Sequence, residues 1–126
     1  MEITWDVIDS HAYQFRNIGV NADTSVVVLG DHSSQPSLHD VARLALQSIG
    51  ASVVEVLSTS AFNGQDIDTN PSTGLVSSSL ASSDYVIDCT GAKLTRNLDT
   101  ESIRRSGAQI FLEGETTWIP IGEAEE

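Results

Sequence analysis

Hydrophobic residues along the chain recur with helical spacing in some segments and form short, unbroken runs in others. Residues 4–17 carry apolar side chains on one helical face, with Thr4 as a suitable cap and Gly19 as a stop. A second apolar stripe begins after Pro36 and stops at Gly50, which is typical of an amphipathic helix packed on a core. The pattern predicts these two helices.

The unbroken runs are rich in Val, Ile and Leu, as strands buried on both faces are. They predict four strands, near residues 25–29, 52–57, 84–88 and 109–113. Helices are also predicted near residues 75–81 and 100–106. Strands that alternate with helices favour right-handed crossovers and a parallel sheet. We therefore expect a single α/β domain over residues 1–126, a small three-layer Rossmann-like (flavodoxin-like) fold with a mainly parallel four-stranded sheet.

Residues 58–73 form a polar stretch that is long for a connection inside a compact domain. Such stretches are functional lids or disordered segments, and the sequence does not distinguish the two. Residues 114–126 follow the last predicted strand and contain Trp118, Ile119 and Ile121. Large apolar side chains need cover, so we interpret this segment as a docking segment whose apolar residues bind a partner.

Composition narrows the classes of function. The chain has 126 residues, 18 acidic and 6 basic, for a formal net charge of −12. Sequence-independent nucleic-acid binding depends on clustered Lys and Arg, so nucleic acids and anionic membranes are poor partners. We expect a cytoplasmic protein, because the chain has a lone Cys89, no signal-peptide pattern and no apolar run of membrane length.

Ligands of parallel α/β sheets bind outside the carboxyl ends of the strands, which places the candidate residues in the loops that follow them. After the first strand, His32 is a candidate general base or metal ligand, and Asp31 could fix its tautomer. A hydrogen-bonded loop histidine is the simpler alternative. The same loop lacks the G-x-G-x-x-G fingerprint and the P-loop lysine, which disfavours nucleotide or flavin binding.

Asp88 and Thr90 end the third predicted strand. They are candidate substrate-binding residues, although both side chains readily cap a local turn instead. Cys89 between them is more typical of an inert buried thiol than of a nucleophile. Further on, Lys93 and Arg96 could hold an anionic substrate, or could simply be surface charges.

The three histidines do not form a metal-binding pattern. His11 and His39 fall on predicted helices away from the strand ends, so spacing alone assembles no cluster with His32. We predict no metal site within this chain.

Several segments together resemble the amino-terminal domain of the 2,5-dihydroxypyridine 5,6-dioxygenases and related leucyl aminopeptidase-like metalloenzymes. The matching runs are SVVVLGDH (25–32), GASVVEVL (50–57), AFN (61–63), LASSDYVID (80–88) and SGAQI (106–110). The resemblance implies a Rossmann-like domain. In that family a larger second domain holds the catalytic metal, a ferrous iron bound by two histidines and one aspartate in the dioxygenases.

The resemblance also implies roles for individual loops. The family often has a Leu-x-His loop histidine, where this chain has Leu94, Thr95 and Arg96. An arginine cannot act as a general base at neutral pH but can bind a carboxylate or phenolate. His32 matches a histidine that follows the first strand in some relatives, and it is the candidate catalytic residue.

The leading hypothesis is therefore a small subunit or stand-alone amino-terminal domain of a ring-cleaving, dioxygenase-like enzyme. Asp31, His32, Thr95 and Arg96 would line a cleft for a small anionic aromatic substrate. Iron(II) would lie on a partner chain that carries the metal-binding domain, so that the assembly is a hetero-oligomer. The alternative is a non-catalytic binding or scaffold domain that stabilises or regulates a related enzyme.

Overall fold

The computed structural model describes residues 2–31, 36–58, 78–90, 100–114 and 117–121. Three helices are bounded within this part of the chain, namely α1 (Trp5–Asn17), α2 (Pro36–Ile49) and α3 (Thr100–Arg105). Residues 78–81 form a further helical turn. The predicted bounds of α1 and α3 are thus confirmed to within a residue or two. The predicted polar stretch 58–73 lies almost wholly outside the described residues.

Within the described residues the sheet has five strands: β1 (Ser25–Asp31), β2 (Ser52–Ser58), β3 (Tyr85–Asp88), β4 (Gln109–Glu113) and β5 (Trp118–Pro120). Their spatial order is β2-β1-β3-β4-β5. The first four strands are parallel and β5 runs antiparallel to β4. The expected α/β class and mainly parallel sheet are confirmed, whereas the expected strand number of four is one too low.

The additional strand lies in the segment that was predicted to dock a partner. The backbone N–H of Gly114, just after β4, donates to the carbonyl of Thr117, just before β5, across 2.9 Å. The chain then pairs Leu112 with Ile119 as an antiparallel neighbour. A three-residue strand is too short to show alternation, and Pro120 argues against a strand except at a sheet edge, where β5 lies.

The core consists of two apolar layers, one on each face of the sheet. Alternation along β1 sends Val26 and Val28 toward the layer that contains α1 and α2, while Val27 and Leu29 face the opposite layer. That second layer includes Leu80, Ile103 and Ile121. The arrangement is the three-layer α/β/α fold that the sequence predicts.

The two ends of α1 follow from identifiable residues. Thr4 accepts a hydrogen bond from the backbone N–H of Val7 at 3.2 Å, as expected for a cap. Beyond the helix, Gly19 has a φ of +113°, a region that favours glycine. Tyr85 of β3 lies directly against Gly19, and its hydroxyl donates to the carbonyl of Ile18 at 3.3 Å. The stop of α1 is therefore also a contact with the sheet.

Among the described residues, no helix combines the length and apolar character needed to cross a bilayer.

Candidate functional site

The strand order places a topological switch point between β1 and β3, the position at which open α/β sheets have a crevice for ligands. The central strand β1 has β2 on one side and β3 on the other, so the chain winds in opposite directions from it. In open α/β sheets the carboxyl ends of two such strands flank the ligand site. In this chain that position is occupied by Gly30 and Asp31 of β1 and by residues 88–90 at the end of β3.

Asp88 is a fully buried carboxylate at this position, with an exposed fraction of 0%. Its neighbours in the sheet are Leu29 on β1 and Leu112 on β4. Oδ1 accepts two hydrogen bonds from Thr90, one from the backbone N–H at 2.9 Å and one from Oγ1 at 2.6 Å. Both side chains thus form a local turn, the structural alternative considered for them. Their contact with a substrate stays a prediction.

Cys89 lies on the other side of the strand from Asp88. Its side chain is buried within the layer formed by α1 and α2, and its N–H donates to the carbonyl of Leu29 at 2.8 Å. Apolar surroundings disfavour the charged thiolate that nucleophilic attack needs. This placement agrees with the expectation of an inert buried cysteine.

His39 reaches the end of β1, contrary to the expectation that it lies away from the strand ends. The ring packs directly on Gly30, since a Cβ added at that glycine would lie only 2.7 Å from His39 Nδ1. Its Nε2 lies 3.4 Å from a carboxylate oxygen of Glu55 on β2, and Arg43 Nε lies 2.8 Å from the other oxygen. His39 is buried, and within the described part of the chain neither ring nitrogen makes a hydrogen bond of good geometry.

The sequence did not indicate this cluster because its members come from separate elements. His39 and Arg43 are one turn apart on α2, but Glu55 stands on β2. The signal that was present is Gly30, which interrupts an otherwise bulky β1. Glycine within a strand marks a close approach by another group, and here that group is the imidazole.

The other predicted site residues lie outside the described part of the structure. They are His32, Lys93, Thr95 and Arg96, together with the side chain of Asp31. Their proposed roles stay predictions.

The predicted partner-binding residues Trp118 and Ile121 are covered by this chain itself. Trp118 is 3% exposed and its ring lies 5.4 Å from that of Phe15 on α1, while Ile121 belongs to the second core layer. Ile119 is partly buried and packs on Gly114. The extra strand β5 thus places Trp118 and Ile121 against the core of this chain. Their role in binding a partner stays a prediction.

His11 is the second histidine that the sequence did not connect to any site. Its Nδ1 accepts a hydrogen bond from Trp118 Nε1 at 3.2 Å. Burial lowers the pKa of His11 below its ordinary value of 6.5, and the Glu113 carboxylate opposes this shift. The contact ties α1 to β5.

The described residues do not fit a metal ion. They contain no group of three or more His, Cys, Asp or Glu side chains close enough to ligate one. Asp88 engages Thr90, and Glu55 engages a guanidinium, so neither carboxylate is presented to a cation.

These features define a Rossmann-like α/β domain with the carboxyl ends of β1 and β3 at its topological switch point. The family of 2,5-dihydroxypyridine 5,6-dioxygenases matches residues 6–118, and the chain belongs to that family. The resemblance inferred from the sequence is thereby confirmed.

Two solved structures share the fold. One is the 2,5-dihydroxypyridine dioxygenase from Pseudomonas putida KT2440, with 21% identity and a TM-score of 0.64 over 89% of this chain. The other is IdnL1, with 16% identity and a TM-score of 0.57 over 91% of this chain. This chain spans only 35% of the dioxygenase chain and 20% of the IdnL1 chain. A search of curated proteins gives no significant match.

Proposed function

We propose that this chain is the substrate-cleft domain of a 2,5-dihydroxypyridine dioxygenase-like, ring-cleaving enzyme whose metal is held by a partner chain. The observation that carries the proposal is the family match over residues 6–118. The chain corresponds to about a third of the solved dioxygenase, which supports a role as one domain of a larger enzyme. The domain acts as the small component of a hetero-oligomer.

The crevice between β1 and β3 is the part of the domain that would face the substrate. Asp88 and Thr90 hold the end of β3 in a fixed turn, through the two hydrogen bonds that Oδ1 accepts. A rigid strand end fixes the starting point of the following loop, which contains Thr95 and Arg96. Asp88 and Thr90 thus support the cleft by fixing the end of β3, from which the following loop starts.

The chemistry of the loops suits a small anionic aromatic substrate. Arg96 can pair with a carboxylate or phenolate, and it stands in a chain whose net charge of −12 would otherwise repel an anion. His32 is the residue proposed to accept or donate a proton, with Asp31 beside it in sequence to orient the ring. Iron(II), bound by the partner, would supply the oxygen chemistry.

The test is reconstitution. The protein is expressed with the reading frames that neighbour its own gene, purified, and examined by native mass spectrometry with metal analysis. We expect a heteromer with about one iron per partner chain, the stoichiometry of a mononuclear site. Oxygen uptake with 2,5-dihydroxypyridine then measures activity, and Arg96→Ala is expected to raise KM more than it lowers kcat.

Arg105→Ala is the matched control. Arg105 is exposed, and within the described residues its ion pair is with Glu101 one turn away on α3, so its loss should leave KM unchanged. A stable heteromer without iron or oxygen uptake would instead support the alternative, a scaffold domain that regulates a related enzyme. A metal-free chain that associates with no other protein would overturn both readings.

A further inference from the structure

The strand β2 forms one edge of the sheet and exposes apolar side chains on both of its faces. Val54 is 58% exposed and Leu57 is 63% exposed. Within the described residues β2 pairs only with β1, so the backbone groups on its other side face outward. Soluble proteins protect such edges with charges, prolines or bulges because an open strand recruits another strand. The sequence of β2 has one charged residue, Glu55, and no proline.

The sequence of β2 is nearly the same in both directions. From Ser52 to Ser58 the sequence is SVVEVLS. It is symmetric about Glu55 except at one pair of mirrored positions, which holds Val53 and Leu57. In an antiparallel pair of identical strands, each residue lies opposite the one at the mirrored position. Centring the pair on Glu55 therefore places Leu57 opposite Val53 of the second copy, and Val54 opposite Val56. Each exposed side chain gains an apolar partner.

The charge at the centre of this arrangement is already compensated. The two Glu55 side chains would lie opposite each other, and like charges in that position are normally destabilising. Here Arg43 Nε lies 2.8 Å from one oxygen of Glu55, and His39 Nε2 lies 3.4 Å from the other. Each copy brings its own arginine to the centre. Asp40, 3.6 Å from Arg43, is the other acidic group of this cluster.

From these observations we propose that β2 is a homodimerisation edge, at which two copies pair antiparallel about Glu55. The dimer has one continuous sheet of ten strands, with α1 and α2 of both copies on the same face. The net charge of −12 on each copy opposes association at long range, so the dimer is stronger at moderate ionic strength than at low ionic strength.

Sedimentation velocity over a range of concentrations tests the proposal with two lysine variants. Val54→Lys is expected to raise the dimer dissociation constant about tenfold or more, because it places a charge at a covered apolar pair. Tyr13→Lys is the matched control, since Tyr13 is 66% exposed on α1 and lies on another surface. A dimer that survives Val54→Lys but is lost with Tyr13→Lys would overturn the proposal, as would a monomeric native protein.

Single cysteine variants test the register. Glu55→Cys should form a disulfide-linked dimer under mild oxidation, since position 55 faces its own copy. Ser52→Cys should not, because position 52 of one copy lies about 20 Å from position 52 of the other in this register. Cys89 is buried and gives the native protein no exposed thiol. Cross-linking at 52 rather than 55, or at neither, would exclude this pairing even if a lysine variant fails to fold.

Discussion

Trp118 Nε1 donates a hydrogen bond to His11 Nδ1 across 3.2 Å and 107 residues of sequence. The two rings meet edge to face with centroids 6.0 Å apart, so the contact fastens α1 to β5. The indole nitrogen can only donate, which requires that Nδ1 carry no proton. The protonation state of one histidine therefore decides whether this connection exists.

The first prediction concerns pH. Because burial lowers the pKa of His11 in the folded chain, the unfolded chain binds the proton more tightly. The contribution of neutral His11 to stability is complete above the unfolded value of 6.5 and is lost progressively as the pH falls below it. We expect the free energy of unfolding, measured with urea, to fall between about pH 7.5 and 5.5.

His11→Gln isolates this effect. Glutamine retains an acceptor for the indole but does not titrate, so the pH dependence over the same range should be weaker in the variant. Every other residue is the same in both proteins, so its contribution cancels in the comparison. Equal slopes in the two proteins would show that His11 does not carry the dependence. With Trp5→Phe as background, Trp118 is the only indole that reports unfolding by fluorescence.

The second prediction separates two costs at glycines. Gly19 and Gly107 have φ values of +113° and +102°, so alanine is strained at either position. A Cβ at Gly107 meets nothing within 4 Å, whereas one at Gly19 collides with Tyr85. Gly107→Ala should cost about 1 kcal/mol and Gly19→Ala about 2 kcal/mol or more, as judged by urea unfolding. Equal losses would mean that Tyr85 moves aside freely.

The third prediction concerns the end of β3. Thr90→Val removes the 2.6 Å hydrogen bond to Asp88 while keeping the shape of the side chain. We expect a loss of about 1–2 kcal/mol in unfolding free energy, because the buried carboxylate then loses one donor. Thr90→Ser keeps the hydroxyl and should recover more than half of that loss. If valine and serine are equivalent, the hydroxyl does not hold the turn.

The fourth prediction compares the two tryptophans. Trp118→Ala should destabilise the fold by about 3–5 kcal/mol, since the ring is buried against Phe15. Trp5 is 78% exposed, and Trp5→Ala should change stability by about 0.5 kcal/mol or less. A Trp118→Ala protein of native stability that fails only to bind another chain would support the view of this residue as a docking residue.

The sequence predicts the elements of this fold better than the contacts between them. Long apolar runs and helical stripes located β1, β2 and α1, because each is set by local spacing and by caps such as Thr4. The strand β5 was not predicted, because three residues that include a proline show no periodicity. Its partner is β4, a pairing that shows only in the folded chain, where the N–H of Gly114 donates to the carbonyl of Thr117.

The same distinction holds for the candidate site, where residues at a strand end could be predicted and contacts between a helix and a strand could not. Asp88 and Thr90 were predicted from the rule that ligands bind beyond the carboxyl ends of strands, and the structure places both residues at the end of β3. The approach of His39 to Gly30 and of His11 to Trp118 could not be predicted, because each joins a helix to a strand through the packing of two layers. Histidine on a helix carries no sign in the sequence of which strand it will meet.

Pro120 has a consequence for how far this molecule can assemble. It occupies β5, the edge of the described sheet opposite to β2, and it has no backbone N–H to offer a further strand. With only three residues, β5 is also a poor template. A sheet that can be extended from one side only pairs once and then stops, so association through β2 ends at a closed pair and does not propagate into a fibre.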